Sequence, residues 1–216
     1  MTKRSLCIAL LAALVACQSA PANRDVHGPD DVESYIARLV STQRLAELQP
    51  ELVVSKLALP RDARVADIGC GPGVFALPFA RACPDGVVYA VDVEPRQLDA
   101  LRTQLLDEHI ENVVPVLASY TDPHLPPAGI DLIFIADTYH HLEDRIDYLK
   151  RLRDDLAPRG RLAIIEYLPG DLPVGPPASH KLPEGLRERE LAAAGFELAE
   201  SFQIHEWHSF EVWRLR

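Results

Sequence analysis

The sequence has no apolar run of bilayer-spanning length, no Cys-x-x-Cys or His-x3-His spacing, no internal repeat and no surplus of basic residues. The first absence excludes an ordinary transmembrane helix. The second removes the common ligand patterns of zinc sites, and although His124, Asp137, His140, His141 and His180 fall in loops expected at one end of a sheet, adjacent histidines in a turn seldom share an ion, so no metal is expected. The third excludes a repeat array. The fourth bears on partners. The formal charge is −10, and without the first 16 residues, whose charges are Lys3 and Arg4, it is −12, so the body repels phosphate backbones and no nucleic-acid partner is expected. Small molecules fit this charge better.

Cysteine is scarce, with four in the chain. Cys7 and Cys17 fall in the first 17 residues, and Cys70 and Cys83 flank an expected helix about ten residues or about 15 Å long, too far apart for a disulfide. What is present is enough for one domain. With 216 residues, 48% apolar and 25% charged, the chain can bury a core and is too short for two domains of usual size.

The N-terminus reads Lys3-Arg4, an apolar run from Leu6 to Ala16, then Leu14-Val15-Ala16-Cys17. A basic start followed by an apolar stretch too short to span reads as a secretory signal over 1–16. Its ending resembles the lipobox of bacterial lipoproteins, which implies a lipid-anchored Cys17 and, with Gln18 following, sorting to the outer membrane from the periplasmic side. Cleavage after Ala22 and a misassigned start codon, giving a cytoplasmic protein, are the other readings. Residues 17–30, small and polar with Pro21, Gly28 and Pro29, read as a tether, leaving 31–216 as the domain.

Within the domain, Val32, Tyr35, Ile36, Leu39 and Val40 follow helical spacing, and Glu51 to Leu59 reads as a second helix stopped by Pro60. An alternation follows. Strands are expected over 64–68, 87–92, 113–117, 130–136 and 162–167, with helices over 74–82, 95–108 and a segment carrying Ile146, Leu149, Leu152 and Leu156 on one face. Short apolar runs bounded by Gly, Pro and Asp are strands covered on both faces, so the fold class is α/β, a Rossmann-like doubly wound sheet. After the Pro- and Gly-rich stretch 168–177 come a helix over 183–194 and two segments, 196–203 and 206–214, too close in sequence to pair other than antiparallel. That makes seven strands, mostly parallel, closed by a hairpin.

The first strand runs into Asp67-Ile68-Gly69-Cys70-Gly71-Pro72-Gly73. Glycines allow a ligand to touch the backbone where strand turns into helix, and the free N–H groups of the helix then face it. A dinucleotide site needs GxGxxG; here the spacing is GxGxG and Val74 takes the dinucleotide position, which argues against a dehydrogenase. With an acid two residues before the first glycine, the loop resembles motif I of the class I methyltransferases, as does the sheet closed by a hairpin. The resemblance implies S-adenosylmethionine as cofactor, with Asp67 holding its amino group through the loop and Gly69, Cys70, Gly71 and Gly73 beside its methionyl end. Asp92, 23 positions after Gly69 at the end of the second strand, suits the ribose hydroxyls. Ser119 and Tyr120 stand where the family contacts adenine, without the Asp that many members carry there. Asp137 completes the expected cofactor set.

The fourth strand leads into Asp137-Thr138-Tyr139-His140-His141, from which the family often projects catalytic or substrate-binding groups. His140 and His141 titrate near neutrality and are the candidate bases, with packing or capping as the bland role for either. Tyr35, Arg44, Tyr139, Glu166, Tyr167, His180 and Lys181 are candidate substrate residues, from the N-terminal cap and the loops after strands four and five. From Gln43 on, the chain is similar to a subgroup of secreted or predicted methyltransferases with Gln-Pro before the first strand, here Gln49-Pro50, and a Gly-Pro-Pro…His-Lys segment, here 175–177 and 180–181. Methyl transfer works mainly by proximity and orientation, so the lack of an obvious nucleophile is consistent with it. A non-catalytic lipoprotein keeping the fold is the alternative, because the cofactor is made in the cytoplasm; an adhesion protein would have no need of the Asp67 to Gly73 loop.

Overall fold

Alternating apolar residues in the central strands fill two cores, one on each side of a seven-stranded sheet. The computed structural model describes residues 31–216; the signal and tether expected over 1–30, with Cys17, lie outside the described residues. The strands are β1 (Arg64–Ile68), β2 (Val87–Asp92), β3 (Val113–Leu117), β4 (Ile130–Ala136), β5 (Leu156–Tyr167), β6 (Phe196–Phe202) and β7 (His208–Leu215), ordered β3-β2-β1-β4-β5-β7-β6. The first five run parallel, and β7 lies antiparallel to both β5 and β6. This is the expected class.

Helices α1 (Val32–Leu39), α2 (Thr42–Leu48) and α3 (Pro50–Lys56) precede the sheet; α4 (Ala76–Ala82), α5 (Pro95–Asp107), α6 (Arg145–Asp155) and α7 (Leu186–Ala194) follow in turn. Val65, Ala90, Phe134 and Ile165 meet residues of α3, α4 and α5 on one face, and Ala66, Val91, Ile133 and Ile164 meet α6 and α7 on the other. Each set holds every second strand position, so one register decides both cores.

Several boundaries differ from expectation. Helix α2 was not foreseen; the Ser41 side chain caps it by accepting the Arg44 N–H at 3.3 Å, and left-handed Gln49 separates it from α3. Helix α3 starts at Pro50, well suited to a first turn, and ends at Lys56. Helix α7 starts at Leu186 after left-handed Gly185. Strand β5 begins six residues early because Leu156 pairs with Ile130 before an irregularity in register. On α6 it is Tyr148, with Leu149 and Leu152, that is buried, while Ile146 is 38% exposed. Cys70 and Cys83 are free and buried.

Candidate cofactor and active site

The parallel strands end at a cavity lined by residues 67–72, 91–94, 118–120, 136–138 and His141, roofed by Val32, Tyr35, Leu39, Arg44 and Leu48 from α1 and α2. Ligands of open α/β sheets bind at this end, where strand order reverses. Here the reversal lies between β1 and β4.

The loop after β1 is held by its neighbour. The Gly69 and Cys70 N–H groups both donate to the Val91 carbonyl, at 2.8 and 3.0 Å, and the Gly71 N–H donates to Asp92 Oδ2 at 2.9 Å. Gly69 has φ +72°, and a Cβ there would lie 2.3 Å from Thr138 Oγ1, so only glycine lets this loop touch the end of β4. Gly73 corrects the expectation that all three glycines face the ligand. It is outside the cavity wall, has φ +102°, and any Cβ would lie 2.6 Å from Leu101 Cδ1. Its smallness lets the start of α4 pack on α5.

Asp67 is buried, with Oδ2 lacking any hydrogen-bond partner. Burial pushes its carboxyl up to about 8, the nearby Asp92 charge adds to this, and the Ala76 N–H opposes it. Burial also raises Asp92, against the backbone N–H groups of Glu94, Gly71 and Val93. Asp92 Oδ1 accepts the Glu94 N–H at 2.9 Å. Among the described residues no cation forms an ion pair with either carboxylate. Cys70 also lines the wall; burial raises its thiol well above the ordinary value, which leaves it a neutral wall group. Ser119 and Tyr120 line the far side, where Ser119 N–H donates to the Asp122 carbonyl at 3.1 Å in a tight turn.

At the other end Asp137 binds the Arg44 guanidinium through Nη2 and lies 3.3 Å from His208 Nε2. Burial would raise the Asp137 carboxyl, but His208 and Arg44 together hold it below the usual range. Arg44 Nη1 also donates to Tyr167 Oη at 2.6 Å, and the Tyr167 ring stacks on His208 with centroids 4.0 Å apart. The expected residues Arg44, Asp137 and Tyr167 therefore meet, with Arg44 pinning α2 to the sheet. His208 was missed in the sequence, although it opens the strand that pairs with β5. Tyr35 faces the cavity and its phenol is raised by burial.

The other candidates part company. Residues 139–141 form one turn of 3-10 helix, in which successive side chains point about 120° apart. Tyr139 is fully buried beside α6 and α7 and donates to Glu190 Oε2 at 2.7 Å, so it is a packing residue and not a substrate contact. His140 turns to Glu166, whose oxygens lie 3.0 and 2.9 Å from Nδ1; burial lowers the imidazole, but Glu166 outweighs it and the net shift is upward. Glu166 is itself buried and accepts the His140 and Tyr167 backbone N–H groups, so it positions His140 and does not face the cavity. His141 alone of the pair lines the cavity, its ring 4.0 Å from that of His140. His180 and Lys181 also stand off the cavity wall: Lys181 Nζ donates to the Gly170 carbonyl at 3.0 Å and sits 5.7 Å over the Tyr167 ring, bracing the 168–182 strap.

Residues 66–162 match the methyltransferase domain family. A trans-aconitate 2-methyltransferase of Sinorhizobium fredii is 33% identical over 59% of this chain and 46% of its own length, and the chain spans about half the length of the curated relatives it matches. A S-adenosylmethionine-dependent methyltransferase from Aquifex aeolicus superposes with TM-score 0.80 over 85% of this chain and 98% of that one, at 24% identity. The methyltransferase CalH, solved with S-adenosylhomocysteine, gives TM-score 0.62 at 18% identity over 86% and 64%. This is the class I methyltransferase fold.

Of these two solved structures, one is named as S-adenosylmethionine-dependent and the other was solved with S-adenosylhomocysteine. The residues present fit that group. A methyltransferase cofactor carries an ammonium and a cationic sulfur, and the Asp67 to Asp92 end of the cavity presents two carboxylates with no cation of their own and one orphaned oxygen. The Asp92 oxygens accept backbone N–H groups and keep lone pairs for ribose hydroxyls.

Proposed function

We propose that this chain is a S-adenosylmethionine-dependent methyltransferase acting on a small-molecule acceptor. The buried Asp67 carboxyl beside the glycine loop, with one oxygen unpartnered, carries the reading, since ionising an acid raised to about 8 is costly unless a cation arrives to pair with it. Bound there, the cofactor supplies an activated methyl on cationic sulfur. Asp67 holds its ammonium, Asp92 its ribose, and Ser119 and Tyr120 its adenine. The roof from Val32, Leu39 and Leu48 keeps water out, so the protein's contribution is alignment of the acceptor and exclusion of solvent. His141, on the same cavity wall as Asp137, takes a proton from the acceptor, and His140 with Glu166 behind it positions that ring. The small-molecule acceptor named for the Sinorhizobium relative is in keeping with this reading.

Calorimetric titration with S-adenosylhomocysteine tests it. The wild-type protein should bind, and Asp92→Ala should bind about ten- to a hundredfold more weakly, the worth of charge-assisted hydrogen bonds lost at one site. Equal affinities would remove the ribose assignment, and no binding at millimolar concentration would favour a non-catalytic scaffold.

Export belongs to the same proposal. Lys3-Arg4, the apolar run and Leu14-Val15-Ala16-Cys17 support a lipid anchor on Cys17. Cys17→Ser should abolish incorporation of labelled fatty acid and release the protein from the membrane fraction; unchanged labelling would refute the anchor.

A further inference from the structure

The acceptor half of the cavity differs from the cofactor half in its charge balance. Among the described residues its walls carry a single guanidinium, Arg44, and no lysine. Arg44 is 15% exposed, and it is already committed to Asp137 through Nη2 and to the Tyr167 hydroxyl through Nη1. Asp137 has in addition His208 at 3.3 Å. Glu94, on the cofactor side, pairs with Arg96 at 2.8 Å. The roof above is Val32, Tyr35, Leu39 and Leu48. An acceptor enclosed here meets mostly apolar wall, the His141 imidazole and one neutralised ion pair.

An anionic acceptor would have to share Arg44 with Asp137 and Tyr167, and would meet the Asp137 charge beside the guanidinium it needs. An ammonium would have to compete with Arg44 for that carboxylate while losing its own hydration. Both costs fall on the ligand and neither falls on a neutral one. Resting on the methyltransferase reading, we propose that this site takes an uncharged, largely apolar acceptor and discriminates against carboxylates and amines, with the Arg44 and Asp137 pair as the element that sets this selectivity.

The test compares three probes of one shape, 1-naphthol, 1-naphthoate and 1-naphthylmethylamine, by calorimetry on the protein loaded with S-adenosylhomocysteine at pH 7. Loading is measured first, so that failure of the cofactor site, which would bring down the reading beneath this proposal, is seen separately. The expected result is naphthol binding at least about tenfold tighter than either charged probe. Naphthoate or naphthylmethylamine binding as tightly as naphthol overturns the proposal, as does no binding of any of the three to loaded protein. Arg44→Gln, which frees Asp137, should shift the preference about tenfold toward naphthylmethylamine. An unchanged ranking in a variant that still binds S-adenosylhomocysteine would overturn the role of the pair, and if the variant does not fold the wild-type ranking decides.

Discussion

Asp67→Asn is expected to weaken S-adenosylhomocysteine binding by about a hundredfold while raising the melting temperature of the ligand-free protein at pH 8. The two effects have one origin. In the free protein burial holds the Asp67 carboxyl at about 8, against an ordinary value of 3.8. The native state therefore keeps a proton that the unfolded chain gives up. Stability falls as pH rises from about 4 to about 8, and beyond that the folded protein carries the full cost of a buried, unpaired charge. Asparagine keeps the shape and can still accept the Ala76 N–H, but it has no charge to bury. The advantage of the variant in thermal melts should grow across that window and level off above it. With ligand the sign reverses, because a cationic amino group needs the ionised carboxylate. Wild-type affinity should rise by up to about tenfold per unit as pH approaches 8, and the variant should show no such rise. A variant that binds as tightly as wild type at pH 7 would mean that Asp67 does not hold the amino group.

Arg44→Gln is expected to cost about 3–5 kcal/mol in stability, the usual penalty for leaving a buried charge without its partner. Arg44 and Asp137 are 15% and 10% exposed, so solvent screens them little. The guanidinium also bonds Tyr167, which makes it the tie between α2 and two strands. For a domain of this size such a loss lowers the melting temperature by roughly 10 °C. Arg44→Lys should recover part of it, since an ammonium restores the charge but not the paired geometry. A denaturant midpoint within error of wild type for the glutamine variant would show that the cap is held by apolar packing alone.

The parts of the site that were legible in the sequence are those in which the ligand-facing group is fixed by its neighbours along the chain. Asp67 ends a strand and precedes a glycine turn, and Asp92 ends the next strand, so the alternation of strand and helix places both at one end of the sheet before any contact is known. The glycine spacing differs from that of a dinucleotide loop, but it did not say which glycine lines the cavity. Gly73 turned out to serve the approach of α4 to α5, a contact with Leu101, 28 positions away, that no local pattern reports. The turn at 139–141 was legible as a site and illegible in detail. A 3-10 turn spreads three neighbouring residues over three directions, so Tyr139 reaches the core, His140 reaches Glu166 and His141 reaches the cavity.

By itself, then, the sequence determined the fold class, the position of the glycine loop and the acids at the strand ends, because hydrophobic period and turn chemistry are local properties that every compact solution must satisfy. Only the tertiary structure decided the other end of the cavity. Arg44 lies 93 residues from Asp137 and 123 from Tyr167, and His208 comes from the last strand, so their meeting depends on the order in which strands pack and on a cap helix that periodicity did not foresee. Periodicity tells a side chain which face to occupy; which partner waits there is set by the packing of elements far apart in the chain.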